Sequence, residues 1–273
     1  MKQNYDEQFD LKKIYRSRPY YLAINRLQSY ITCKHLQCDL DVPYGNTRGQ
    51  KLDIFAAPSA NAPVFVFIHG GYFKALDKKD YRFIAANLVK KGYTTVLLNY
   101  DLAPKVTILE IIQQVFKAFS WILTNISQWN GNINQITLCG HSVGAFLACK
   151  ILEQDRFNHH SFSIEKTLLL SGLYDLGPMK YSYLNTDLQI SNEDVKTLSP
   201  IYAHLILSSR ILICVGKDET AEFIRQSSCY SKQLADDGKE NHLLILPQTN
   251  HYRMMRYLAG SNNAIINFLS SDH

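Results

Sequence analysis

The chain has little of what marks an exported, membrane-spanning or disulfide-stabilised protein. Its six cysteines in 273 residues form no C-x-x-C pair, and Cys139, Cys149 and Cys214 fall within apolar segments. We therefore expect reduced, buried thiols. The first residues contain no apolar signal core, and no apolar run approaches the ~18 residues that a spanning helix needs. These absences predict a cytoplasmic protein with no membrane partner.

The excess of one sign of charge over the other is also small. The chain has 29 basic and 24 acidic residues, a net charge of +5, and residues 1–35 supply seven of the basic and three of the acidic ones. A basic helix can bind nucleic acid or a membrane, but the acidic and aromatic side chains interleaved in this segment indicate an amphipathic segment that docks on the core. The sequence therefore predicts no nucleic-acid partner. It has no internal repeat and no low-complexity tract.

Apolar strands and amphipathic helices alternate over most of the chain. With 46% hydrophobic residues there is ample material for one large core. Residues 63–68 are fully apolar, which is typical of a strand buried on both faces. The alternation predicts an α/β fold with a mainly parallel sheet flanked by helices. We expect strands at 36–42, 51–55, 63–68, 94–98, 135–138, 166–170, 210–215 and 242–246, and helices near 79–91, 108–126, 143–152, 222–235 and 263–269.

Two stretches interrupt the alternation. Residues 1–35 carry apolar positions at helical spacing and predict two short helices, separated at Arg18-Pro19, that pack on a main domain formed by 36–273. Residues 171–209 are rich in turns and aromatics. We expect both stretches to form a small partial lid over the carboxyl edge of the sheet. Their aromatic side chains could stack on an aryl substrate or simply fill the core. These residues are Tyr15, Tyr20, Tyr21, Tyr174, Tyr181, Tyr183 and Tyr202.

The strongest motif is G-x-S-x-G at 140–144, between an apolar strand and a helix. In that context it is a nucleophile elbow, in which Gly140 and Gly144 let strand and helix approach and Ser142 projects at the sheet edge. A serine hydroxyl is a weak nucleophile near neutral pH, so it requires a base, and the base requires an orienting acid. We therefore predict Ser142 as the nucleophile of a hydrolase.

The base and the acid follow from chain order, which in elbow enzymes runs nucleophile, acid, histidine. His251 comes directly after the loop that follows the last strand, and we predict it as the base. The acid is expected after the preceding strand, where Asp218 and Glu219 are adjacent. Aspartate is the commoner acid, but a Gly-x-x-acid spacing counted from Gly216 favours Glu219.

An oxyanion hole is the third requirement. His69-Gly70-Gly71-Tyr72-Phe73 follows the buried strand 63–68, and glycines let the backbone approach a substrate without a Cβ clash. We predict the N–H groups of Gly71 and Tyr72 as donors, together with that of Val143, the residue after the nucleophile. His69 and Gly70 complete the motif.

These residues resemble those of a known family. H-G-G-Y-F at 69–73 and G-H-S-V-G-A at 140–145 are similar to the α/β-hydrolases that include serine-dependent kynurenine formamidases (arylformamidases), whose pattern is H-G-G-x-W. The similarity extends to N-Y-D-L-A-P at 99–104, to 171–176 and to 219–223, and so covers most of residues 36–255. It implies an α/β-hydrolase fold and points to Glu219 as the acid.

The resemblance further implies hydrolysis of N-formyl-kynurenine to kynurenine and formate through a formyl-enzyme on Ser142, without a cofactor. The H-x-G-T-H motif of metal-dependent kynurenine formamidases is absent, and His159-His160 is expected to be a solvated pair, so we predict no metal site. A small-molecule substrate is the expected partner, and a homodimer is left open. Two alternatives remain: a carboxylesterase for short acyl esters, and a non-catalytic binding protein that keeps the fold.

Overall fold

The computed structural model describes residues 5–157 and 161–270, which are built around one eight-stranded sheet. Its strands are β1 (Asp39–Pro43), β2 (Lys51–Phe55), β3 (Ala62–Ile68), β4 (Thr94–Leu98), β5 (Gly131–His141), β6 (Ile164–Leu170), β7 (Arg210–Gly216) and β8 (Asn241–Leu246). They lie side by side in the order β1-β2-β4-β3-β5-β6-β7-β8. Strand β2 pairs antiparallel with β1 and β4, and every other pairing is parallel. The alternation in the sequence therefore predicted the sheet correctly.

Helices cover both faces of this sheet. They are α1 (Tyr5–Phe9), α2 (Leu11–Ile14), α3 (Arg18–His35), α4 (Phe83–Lys90), α5 (Ile108–Asn125), α6 (Val143–Leu152), α7 (Gly177–Lys180), α8 (Asn185–Leu188), α9 (Asn192–Leu198), α10 (Ala221–Asp236), α11 (Arg256–Ala259) and α12 (Ala264–Ser270). Among these described elements, no helix is long and apolar enough to cross a membrane.

The N-terminal segment differs from the expectation of two helices separated at Arg18-Pro19. Three helices form there, and the chain breaks at Tyr15–Ser17, before the proline. Pro19 instead lies in the first turn of α3, where a missing N–H costs nothing because the first N–H groups of a helix have no acceptor within it. The prediction placed the break at Arg18-Pro19 and was wrong, because the break lies just before these residues, which begin α3.

The central strands send alternate side chains into two apolar cores, one on each face. In β3, Val64 and Val66 enter the core that contains α5 and α6, whereas Phe65 and Phe67 enter the core that contains α4 and α12. All four side chains are fully buried. A strand covered on both faces has no polar side, which is why residues 63–68 carry no alternation in the sequence.

The parallel register brings the carboxyl ends of the central strands to one edge. Ile68 pairs with Gly140, His141 with Leu170, and Leu170 in turn with Cys214. The loops that follow β3, β5, β6, β7 and β8 therefore all leave the sheet on the same side. This is the edge at which open α/β sheets bind their ligands.

A buried carboxyl at the end of α6 makes stability depend on pH. The Glu153 side chain is 5% exposed, and burial raises its pKa from 4.5 to about 7 even though Lys150 pairs with it. A group with a raised pKa in the folded state stabilises that state at pH 4.5 and below, and the contribution is lost as the pH rises through about 7.

We therefore expect Glu153→Gln to gain stability relative to the wild type as the pH rises from 4.5 to 7. Urea unfolding of both proteins across this range measures the difference in free energy of unfolding. A difference that stays flat, or that falls with pH, would contradict the assignment of the shift to Glu153.

Candidate active site

Ser142 lies at the tip of a sharp turn between β5 and α6. Its backbone has φ 59° and ψ −126°, an uncommon conformation for a residue with a side chain. A Cβ placed on Gly140 would come within 2.1 Å of the Gly144 carbonyl oxygen, and a Cβ on Gly144 within 2.1 Å of the Ile68 carbonyl oxygen. Both glycines are thus required by backbone contacts, as the elbow motif predicts.

Ser142 and His251 line the same cavity at this edge of the sheet. Their side chains are nearly buried, with residue exposures of 2% and 4%. Within the described structure no direct hydrogen bond joins the two side chains. Such contacts are often long before a substrate is bound and tighten in the reacting complex. The structure therefore brings the expected nucleophile and base to one cavity.

The carboxylate next to His251 is that of Glu219. Its Oε2 lies 2.7 Å from His251 Nδ1, and its side chain is fully buried. Asp218 is exposed, and among the described residues only its backbone forms hydrogen bonds: its N–H donates to the Thr249 carbonyl and its carbonyl accepts from the Tyr15 hydroxyl. Of the two adjacent acids that the sequence left open, the structure brings Glu219 to the histidine.

The second oxygen of Glu219 is held by two further donors. Ser171 Oγ donates to Oε1 at 2.5 Å, and the Gly216 N–H donates at 2.9 Å. A buried carboxylate is stable only when its lone pairs are used, so these bonds keep Glu219 in one orientation. The sequence reasoning did not single out Ser171. The signal was available: it is the polar residue that directly follows β6, the strand between the elbow strand and the strand of the acid.

The loop after β3 exposes backbone N–H groups beside Ser142. Gly71, Tyr72 and Phe73 have consecutive positive φ angles of 113°, 53° and 61°. Gly71 and Tyr72 line the cavity with Ser142, and the described residues offer no hydrogen-bond acceptor to either N–H group. Val143 begins α6, so its N–H has no acceptor within the helix. None of the three predicted donors is therefore used by an acceptor among the described residues, and two of them, Gly71 and Tyr72, line the cavity that contains Ser142.

Side chains beneath the loop hold it in this strained shape. His69 is fully buried and stacks on Tyr100 with ring centroids 4.4 Å apart. The distance from His69 Nε2 to Asn99 Oδ1 is 2.9 Å. Burial lowers the pKa of His69, which keeps this ring neutral. Phe73 is fully buried and packs edge-on against Phe146 of α6. Phe73 thus anchors the loop to the elbow helix and does not line the cavity.

His141, next to the nucleophile, supports the base. Its Nε2 donates to the His251 carbonyl oxygen at 3.1 Å, and the two rings lie 4.6 Å apart. Burial lowers its pKa well below 6.5, so His141 stays neutral and leaves Nδ1 as an acceptor. Nδ1 has no partner among the described residues. The bond from Nε2 ties the residue before Ser142 to the backbone at His251.

The walls of the cavity come partly from the N-terminal segment. Phe9 of α1 packs edge-on against Tyr72, and the Tyr72 hydroxyl donates to the Phe9 carbonyl at 3.1 Å. Tyr183, in the stretch 171–209, donates its N–H to Asp6. Of the seven aromatic residues considered from the sequence, Tyr183 lines the cavity. The aromatic lining consists of Phe9, Tyr72, Tyr81, Tyr183 and Tyr252.

Several of the other aromatics have different roles. Tyr15 donates its hydroxyl to the Asp218 carbonyl, and Tyr174 stacks on Tyr230 inside the core. Tyr20, Tyr181 and Tyr202 are exposed. Most of the aromatic content of the two lid segments therefore serves packing or lies on the surface.

In the part of the chain that the structure describes, no group of three or more His, Cys, Asp or Glu side chains could hold a metal ion. His159 and His160 lie outside the described residues.

We expect the two adjacent acids to respond differently to substitution. Glu219→Gln removes the charge that faces His251 Nδ1 and should lower kcat on p-nitrophenyl acetate about 10⁴-fold, because the histidine loses both its orientation and its charge partner. Asp218→Asn changes an exposed side chain and should leave kcat within about twofold of the wild type. Equal losses in the two variants would contradict the geometry.

Ser171 is expected to act as a positioning residue. Ser171→Ala removes one of three hydrogen bonds to the Glu219 carboxylate, and a bond to a charged group contributes about 1.5–3 kcal/mol. We expect kcat to fall on the order of tenfold, with KM unchanged because Ser171 does not line the cavity. Steady-state kinetics with a thermal-unfolding control measures this. A normal kcat, or a loss of kcat explained by lost stability, would refute the role.

Comparisons with known proteins agree with this architecture. The BD-FAE family model matches residues 52–234. The kynurenine formamidase of Salmo salar is 34% identical over 229 residues, which are 80% of this chain and 76% of that protein. The kynurenine formamidase of Danio rerio is 32% identical over 84% of this chain and 80% of its own length.

Solved structures show the same fold. A structure from Silicibacter sp. superimposes with a TM-score of 0.87 at 22% identity, covering 97% of this chain and 98% of the other. Esterase LipW from Mycobacterium marinum gives a TM-score of 0.73 at 16% identity, covering 96% and 92%. At such identities the likeness establishes the α/β-hydrolase fold, and the family model and sequence relatives establish the lineage. The chain belongs to the BD-FAE family and is a hydrolase with the α/β-hydrolase fold.

Proposed function

We propose that this hydrolase cleaves N-formyl-kynurenine to kynurenine and formate, with Ser142 as nucleophile, His251 as base and Glu219 as the acid that orients it. The observation that carries the proposal is the buried 2.7 Å contact between Glu219 and His251, in a cavity that also contains Ser142 and five aromatic side chains. The names of the relatives from Salmo salar and Danio rerio support the choice of substrate.

In the first half-reaction Ser142 Oγ attacks the formyl carbon while His251 takes the hydroxyl proton. The carbonyl oxygen becomes an oxyanion within reach of the N–H groups of Gly71, Tyr72 and Val143. Such donors stabilise the transition state more than the substrate, each by about 3 kcal/mol. The buried Glu219 carboxylate stabilises the imidazolium that forms on His251. Collapse of the intermediate breaks the C–N bond, and the departing aryl amine takes the proton from His251.

The second half-reaction hydrolyses the formyl ester on Ser142. His251 takes a proton from water, the hydroxide oxygen attacks the same formyl carbon, and the oxyanion again faces the three N–H groups. Collapse returns the proton to Ser142 Oγ and releases formic acid, which loses its proton to solvent and becomes formate. Neither half-reaction includes a redox step or a cofactor. Each proton that His251 takes up is passed on within the same half-reaction, first to the aryl amine and then to Ser142 Oγ.

A short-chain carboxylesterase is the second candidate function. The observation in its favour is the whole-chain fold similarity to a solved structure named as an esterase, LipW from Mycobacterium marinum. The same three residues would attack an ester carbonyl, and an alcohol is an easier leaving group than an amine. Ester hydrolysis alone therefore does not discriminate between the two candidates, but cleavage of the formamide does.

We also propose that the protein works in the cytoplasm. All six cysteines are free, and Cys139, Cys149 and Cys214 are buried. Burial raises the pKa of the Cys139, Cys149 and Cys214 thiols, so these groups stay protonated and inert. Reduced thiols of this kind fit a reducing compartment.

The decisive test compares two substrates. Wild-type protein should release formate and kynurenine from N-formyl-kynurenine and p-nitrophenolate from p-nitrophenyl acetate, and Ser142→Ala should lower both rates by about 10⁴-fold or more. The absorbance of kynurenine and of nitrophenolate measures the two reactions.

Formamide cleavage that survives in Ser142→Ala would contradict the mechanism. Ester cleavage without formamide cleavage would favour the carboxylesterase. A fluorophosphonate probe provides the control for a non-catalytic protein: labelling of the wild type that is lost in Ser142→Ala identifies a reactive serine, and no labelling of the wild type would exclude one.

A further inference from the structure

The cavity that contains Ser142 also contains charged side chains that cleavage of a formyl group does not use. They are Lys12, Arg18, Lys74 and Asp80. Lys12 is exposed at the rim, and Lys74 forms an ion pair with Asp187. Arg18 and Asp80 differ from these two, since each is at least half-buried and has a charged group that its described neighbours leave partly unused.

Asp80 is an almost buried carboxylate in the cavity wall. The residue is 4% exposed, and its Oδ1 accepts a hydrogen bond from Arg26 Nε at 2.8 Å. In the described structure no side chain donates to its Oδ2. Arg26 itself is 62% exposed, so solvent weakens its compensation of the buried charge. A carboxylate in this position favours a cationic ligand group.

Arg18 is the positively charged counterpart of Asp80 in the cavity lining. Its guanidinium carbon is 5.9 Å from the centre of the Tyr252 ring, and Tyr252 follows the proposed base His251. Among the residues that the structure describes, no carboxylate lies within 4.0 Å of Arg18. A half-buried guanidinium without a carboxylate partner presents free donors in the fork geometry that carboxylates match.

We propose that Asp80 and Arg18 bind the two ends of a zwitterionic α-amino-acid group on the substrate, Asp80 the ammonium and Arg18 the carboxylate. The inference rests on the proposed function, because N-formyl-kynurenine carries such a group on its side chain. The aromatic lining takes the aryl ring, and the formyl carbon lies against Ser142. The two charges therefore select aryl formamides with an amino-acid tail over neutral formamides and esters.

Asp80 also has a structural role to be separated from this one. The Arg26–Asp80 pair joins α3 to the 3₁₀ turn Lys78–Tyr81. If that tether were the whole role of Asp80, removing either partner would affect every substrate equally. If Asp80 binds the ammonium group, its removal affects only substrates that carry this group, and removal of Arg26 does not raise their KM.

The experiment uses three aryl formamides and five forms of the 273-residue protein, four variants and the wild type. The formamides are N-formyl-kynurenine, its analogue in which hydrogen replaces the ammonium group, and ortho-formamidoacetophenone, which has neither charge. The four variants are Asp80→Asn, Arg18→Gln, Arg26→Gln and Arg16→Gln. Arg16 is an exposed arginine two residues from Arg18 that does not line the cavity, and it serves as the matched control.

For Asp80→Asn we expect the KM of N-formyl-kynurenine to rise about tenfold, the effect of one lost charge-assisted hydrogen bond. The KM of the analogue without the ammonium group should not rise, because that analogue leaves Asp80 unpaired in the wild type. For Arg18→Gln the KM should rise about tenfold for both carboxylate substrates and stay constant for ortho-formamidoacetophenone. Arg16→Gln and Arg26→Gln should resemble the wild type.

Equal losses on all three formamides in Asp80→Asn and Arg26→Gln would overturn the proposal in favour of the tether. The wild type alone provides a test that needs no variant to fold: equal KM values for N-formyl-kynurenine and the analogue without the ammonium group would also overturn it. Failure of the proposed function looks different, since the wild type would then cleave none of the formamides while still hydrolysing p-nitrophenyl acetate.

Discussion

The close approach of three backbone segments at the elbow is the constraint on which the site depends. Gly140 of β5 lies against Gly144 of α6, and Gly144 lies against the carbonyl of Ile68 at the end of β3. Neither contact leaves room for a Cβ. Because Ile68 is followed directly by the loop of N–H donors, the same contact that shapes the turn at Ser142 also brings those donors beside it. The proposed nucleophile and the proposed oxyanion hole are therefore one packing unit.

The second requirement is the stable burial of a negative charge. Glu219 is surrounded by apolar core, and its carboxylate is tolerated because His251, Ser171 and the Gly216 N–H occupy its oxygens. Ser171 follows β6, Gly216 is the last residue of β7, and His251 lies in the loop after β8. The charge thus ties three adjacent strand ends together. The polar network that prepares the reaction also determines how this edge of the sheet is arranged.

The proposed catalytic groups and the walls of the cavity come from different parts of the molecule. The central strands and their loops supply the proposed nucleophile, base, acid and N–H donors. The first 35 residues supply Phe9 and Arg18 to the cavity and meet the body of the protein at Asp80 through Arg26. Changes in this outer segment can therefore alter which molecules enter while the bond-breaking groups remain in place. A common hydrolase core with variable walls is consistent with relatives that include formamidases and esterases.

The sequence by itself determined the sheet, the elbow and the segments from which the reacting groups come, since these depend on local features: apolar runs, glycine spacing and chain order. It left Asp218 and Glu219 open, because adjacent residues differ only in the direction of their side chains. It missed Ser171, and it placed the N-terminal helix break at Pro19, although a proline is equally suited to the first turn of a helix. Only the tertiary structure decided which acid faces His251, and that Arg18 and Asp80, far apart in the chain, share the cavity of Ser142. Side-chain direction and long-range proximity arise from packing, which no local pattern encodes.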